Sequence, residues 1–144
     1  MRSRLFAAAL GLLAGCKDSP PACTSVAIDL DCATQYSPSF DNVYLNTIDK
    51  RCGTRDGSCH SASGDADLSF ATREAAYASL LAGHVMPGDP ACSELIVRTL
   101  EAGTDYAMPP ETPLSELDRC ALVKWVNAGA PGPGVPFPTA GAAR

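Results

Sequence analysis

The chain has 144 residues, 46% of them hydrophobic and only 6% aromatic, and a formal charge of −5. That length suits one domain and is too short for two ordinary ones. Basic residues are few and scattered, which excludes a nucleic-acid-binding surface, since that needs clustered Lys and Arg.

The first element in chain order is an export signal. Arg2 and Arg4 precede the short apolar run LFAAALGLLAG. The run is shorter than the roughly 20 apolar residues that span a bilayer. It ends in Leu13-Ala14-Gly15-Cys16, which resembles the lipobox of bacterial lipoproteins. By that resemblance residues 1–15 are a lipoprotein signal peptide and the Cys16 thiol carries the lipid. Lys17, rather than aspartate, follows the lipid site and implies the outer membrane. The expectation is an outer membrane lipoprotein of the cell envelope, facing periplasm or exterior and anchored to the membrane without crossing it. Removing residues 1–15 takes the charge from −5 to −7. It leaves six cysteines beyond Cys16: Cys23, Cys32, Cys52, Cys59, Cys92 and Cys120. In an oxidising compartment each is expected in a disulfide or bonded to a cofactor.

Residues 16–40 are rich in proline, serine and other polar residues and read as a lipidated tether. A small loop closed by a Cys23–Cys32 disulfide is expected within it. From Asp41 the pattern turns helical. DNVYLNTIDKRC predicts a short helix with Asp41 as N-cap and Val43, Leu45, Ile48 and Cys52 on one face. CGTRDGSCHSASGDADLSF reads as loop. TREAAYASLLAG is a second helix, capped by Thr72, buried through Ala76, Tyr77, Leu80 and Leu81, and stopped by Gly83. CSELIVRTLEAG is a third, starting near Ser93 or Asp89. TDYAMPPETP is a loop whose prolines restrict the backbone. LSELDRCALVKWVNAGAP is the longest helix, opened by a Ser115/Asp118 capping box and stopped by Gly129 and Pro131, with Leu117, Cys120, Ala121, Val123 and Trp125 at helical spacing. Residues 132–144 read as a disordered tail. The fold class is all-α: about four short helices with long loops, occupying residues 41–131.

Such a domain needs an internal staple, and a haem c can supply one. Two cysteine thioethers bind it, the adjacent histidine ligates iron, and a downstream methionine often takes the other axial position. Cys52, Cys59 and His60 stand in that order, and Met108 lies in the YAMPP loop. The order C…CH, MPGDP…SELIVRTL and MPP…WVNAGAP is similar to cytochrome c-like domains of exported proteins in myxobacteria and planctomycetes, across roughly residues 41–131. The resemblance implies one covalent haem c. Cys52 and Cys59 would be its anchors, His60 and Met108 its iron (metal) ligands, and Tyr44 and Trp125 would pack around the haem or the helices. The departure is the spacing: six residues, GTRDGS, separate the cysteines where the family has two. Gly53 and Gly57 permit the required bulge. The competing reading is a Cys52–Cys59 disulfide, worth about 2–3 kcal/mol for so short a loop.

A Cys92–Cys120 disulfide would lock the last two helices and contribute about 3–4 kcal/mol. His84 with Met86 could replace His60 and Met108 as ligands, but a loop histidine before PGDP reads as exposed. Asp65 and Asp67 lack the spacing of a calcium loop. Zinc binding by Cys52, Cys59, His60 and His84 matches no common spacing. No nucleophile, base and orienter are visible, so the protein is not expected to be an enzyme. The expected function is single-electron transfer with a redox partner protein, for which the acidic surface favours a basic one. The alternative is a haem-free, disulfide-stapled structural or interaction lipoprotein of the same fold.

Overall fold

The computed structural model describes residues 19–53, 60, 68–110 and 112–138. Among these the chain forms four helical segments and no strand. The first, α1, begins as Phe40–Val43, widens to π geometry over Tyr44–Ile48 and closes with Asp49–Arg51. The second, α2, is Arg73–Ser79 running into a wide turn, Leu80–His84. The third and fourth are α3, Glu94–Leu100, and α4, Glu116–Asn127. No helix among the described residues is long and apolar enough to cross a membrane.

Local chemistry sets most boundaries. The Thr72 hydroxyl accepts the Ala75 N–H at the start of α2, and Ser115 accepts the Asp118 N–H at the start of α4. α1 is capped by Ser39, whose hydroxyl accepts the Asn42 N–H, and not by Asp41. Asp41 lies within the first turn and pairs with Arg73 at 2.9 Å. The π stretch advances the inward face by a residue, because each turn there holds one more residue than an α-turn. Tyr44, Thr47 and Ile48 therefore point inward, while Leu45, expected on the buried face, is 48% exposed.

The core is built where α1 meets α4. Phe40 is fully buried, with ring centroids 5.1 Å from Trp125 and 5.0 Å from Tyr77, the latter edge-on. Leu80, Ile96, Leu122 and Val126 complete it. Leu117, expected inward, is exposed, and Leu122 and Val126 take its place. The Trp125 Nε1–H donates to Pro131 O at 3.0 Å, and the Tyr77 hydroxyl to Ala130 O at 3.0 Å. Both fold the chain back after α4. Residues 132–138, expected to begin a disordered tail, return to α1, where Gly134 N–H donates to Asp41 Oδ2 at 3.0 Å.

The disulfides correct the expected pairings. Cys23 bonds Cys92, and Cys32 bonds Cys120. Neither the Cys23–Cys32 loop nor the Cys92–Cys120 lock forms. The reason is that the segment read as a free tether lies along the domain. Thr24 N–H donates to Ala91 O at 2.8 Å, and its hydroxyl donates to Glu101 Oε1 at 2.6 Å. This course carries Cys23 to the approach of α3 and Cys32 to the middle of α4.

Candidate functional site

Cys52 is the first residue past α1. Its N–H and that of Gly53 both donate to Ile48 O, at 2.9 and 2.8 Å, and its side chain is half-buried against the core. Gly53 suits a close approach of the chain, since a Cβ there would stand a tight 3.0 Å from Asp49 O. Cys59 lies outside the described residues, as do the lipidation candidate Cys16 and the aspartates Asp65 and Asp67.

His60 is half-buried. Its carbonyl accepts the Phe70 N–H at 2.8 Å, and the two rings lie 5.1 Å apart. Phe70 is itself held to α1, its carbonyl accepting the Tyr44 hydroxyl at 3.2 Å. His60 is thus tied through Phe70 to the same helix that ends in Cys52. Sequence reading assigned Tyr44 and Trp125 to packing. Trp125 lies in the inter-helix core, and Tyr44 braces the segment that carries the His60 ring.

Met108 belongs to a different support. It is half-buried, its N–H donates to Arg98 O at 2.8 Å, and the Met108–Pro109 peptide is cis. The Arg98 guanidinium reaches the same loop, Nη1 donating to Tyr106 O at 3.1 Å, while its Nε donates to Glu94 Oε1 at 2.7 Å. The other Glu94 oxygen meets His84 Nδ1 at 2.7 Å. Burial raises the Glu94 pKa, but hydrogen bonds from Arg98 and His84 outweigh it and hold the carboxyl below the usual carboxylate range. His84, read from sequence as an exposed loop residue, is therefore 22% exposed and engaged, whereas Met86 beside it is 50% exposed. The Glu94/Arg98 spacing of four residues on a helix was a readable signal. The contact to His84 was not, because it crosses a turn. Glu94 and Arg98 also border an open cleft of about 390 Å³ lined by residues of the 19–22 segment, Gly83 and Cys92.

Four cysteines are consumed by disulfides and cannot serve as ligands. Among the described residues no three His, Cys, Asp or Glu side chains are grouped to hold a metal ion. A haem iron does not need such a group, since the macrocycle supplies four of its ligands and the chain only two.

No curated protein and no solved structure matches the chain. Residues 57–112 match a family model described as Planctomycete cytochrome C. The match is narrower than the 41–131 span of the sequence resemblance. It includes Cys59, His60 and Met108 through Pro110, and it leaves out Cys52 and Trp125. The helical architecture of the described residues and this match support a cytochrome c-like domain of the bacterial type, similar over residues 57–112 to that family.

Proposed function

We propose that this domain holds one covalent haem c and passes single electrons at the cell envelope. The observation that carries the reading is the extent of the family match, which opens just before Cys59-His60 and closes just after Met108-Pro109-Pro110. Both candidate axial ligands stand near its two ends. The residues fit the group. An imidazole and a thioether are the donor pair of high-potential c-type centres, and both are half-buried on loops bonded to the same core. The haem, when bound, supplies the one-electron couple. The protein's part is positional. Phe70 fixes the His60 backbone and faces its ring, the α3 end fixes the Met108 backbone, and Cys52 and Cys59 are the candidate anchors of the two thioethers. In this reading the protein is an electron carrier and not an enzyme. It is anchored through Cys16 at the outer membrane, and its partner is a basic redox protein steered by the acidic surface.

The two disulfides favour a second reading. They span 69 and 88 residues and tie the N-terminal segment to α3 and α4. A helical core stapled in this way does not depend on a haem to hold it, which supports a haem-free structural or interaction lipoprotein with Cys52 bonded to Cys59. One preparation separates the two. The mature chain is made in a bacterial host with c-type maturation factors, and its visible spectrum and denatured intact mass are recorded. The proposal expects a sharp reduced α-band and the mass of one haem on a chain with two disulfides. A colourless protein six hydrogens lighter than the reduced chain, the lipid allowed for, would establish three disulfides and end the haem reading.

A further inference from the structure

We infer that Arg98 is the positioning residue of the Met108 loop, acting from α3 with Glu94 behind it. This rests on reading Met108 as the distal ligand, and it names what holds that ligand in place.

The loop from Glu101 to Pro110 is shaped internally by short-range bonds. The Thr104 hydroxyl donates to Glu101 O at 2.9 Å, Ala107 N–H donates to Thr104 O at 3.1 Å, and the Tyr106 hydroxyl bonds the Glu101 carboxylate. These contacts fold the loop upon itself and upon the end of α3. The residues beside the thioether are held by Arg98. Its carbonyl accepts from Met108 N–H, and its guanidinium donates to Tyr106 O. One residue thus grips the loop on both sides of Ala107, which is itself buried. The main-chain half of the grip survives any substitution at position 98. The guanidinium half does not, and its direction is set by Glu94, which holds Nε while Nη1 faces the loop. The Arg98 side chain is only 23% exposed and Glu94 30%, so neither group is loosely solvated. His84, on the other oxygen of Glu94, keeps the carboxylate turned toward Arg98. A planar fork that binds an acid with one edge and a carbonyl with another is something lysine cannot reproduce.

The test uses the full mature chain and its own methionines. Met108 and the half-exposed Met86 are the only two left once Met1 is removed with the signal. Peroxide oxidation of each, read by peptide mass, gives a ratio in which Met86 is the internal reference. R98A is expected to raise Met108 oxidation relative to Met86 about tenfold, as the loop opens locally. E94A should raise it less, and E94Q, which keeps an acceptor for Nε, should restore most of the protection. In haem-loaded protein, R98A should also weaken the thioether-to-ferric-iron absorption band while the covalent haem and the melting transition remain. An unchanged Met108 ratio in a folded R98A protein, or an unchanged band, overturns the inference. Should R98A fail to fold, equal ratios in E94A and E94Q overturn it. A colourless protein in every variant refutes the haem reading alone, and the oxidation ratio still decides whether Arg98 holds the loop.

Discussion

Thr47 exposes none of its surface, yet its hydroxyl is used twice. It donates to Asp118 Oδ1 at 3.0 Å and bonds the Tyr36 phenol, while Ser115 Oγ donates to the other Asp118 oxygen at 2.8 Å. The capping pair of α4 thereby reaches through α1 to the N-terminal segment. Burial first, then the nearby Asp118 charge, pushes the Tyr36 pKa up to about 12, with the hydrogen bond shared with Thr47 acting the other way. The consequence for stability has a definite sign. Between pH 10 and about 12 the unfolded chain gives up the Tyr36 proton and the folded one keeps it, so the unfolded state binds fewer protons and stability falls. Because the phenol is only half-buried and partly screened by solvent, a loss of about 1 kcal/mol across that window is expected in urea midpoints, and Y36F should flatten the slope. T47V, which strips a partner from two half-buried groups, should cost about 1–2 kcal/mol at neutral pH. Ser115 and Asp118 were legible in the sequence because capping is local. Thr47 was not, because its two partners lie 11 and 71 residues away. The same contrast separates His60 and Met108, named from adjacency and motif order, from Phe70 and Arg98, which hold them and carry no motif.

Helices were readable as elements, and their faces less so. Thr72, Gly83, Ser93 and Gly129 mark ends that the structure confirms, since caps and stops depend on one or two residues each. Leu45 and Leu117 were misassigned for two different reasons. The π widening of α1 shifts the register by a residue, and α4 is buried over a broader face than one helical stripe, from Cys120 through Val126. Gly129 has φ +90° and its N–H closes on Val126 O at 3.0 Å, with Ala130 following at φ 50°. Two left-handed residues in sequence turn the chain so that Ala130 and Pro131 can accept from Tyr77 and Trp125. G129A should therefore lower stability by about 1–2 kcal/mol, seen as a reduced melting temperature without loss of helix content. L117Q, on an exposed site of α4, should change it by less than about 0.5 kcal/mol.

At the scale of the whole molecule, parity and compartment singled out Cys23, Cys32, Cys92 and Cys120 as structural, but four cysteines allow three connectivities and sequence cannot choose among them. The choice follows from the course of residues 19–39 across α3 and α4, a long-range packing result. Loops of 69 and 88 residues are long, and the chain-entropy account gives each bridge about 4–5 kcal/mol if taken singly. The C32A/C120A double variant is expected to lose about 3–5 kcal/mol in urea unfolding, more than any single substitution above. Tether length changes as well. If Cys16 carries the lipid, only residues 17–22 separate it from the first bridge, so the chain between the two cysteines can span about 25 Å at most.

The bridges also interleave: the second begins inside the first and ends outside it. A protease that nicks the chain once, anywhere between the outermost bridged cysteines, therefore severs no part of the molecule. The pieces stay joined by sulfur, and such a nick in the loop that carries Met108 should run as one species on a non-reducing gel and as two fragments after reduction. For this protein the covalent unit does not require an unbroken backbone, and its candidate redox loop can be opened while everything that surrounds it stays bound together.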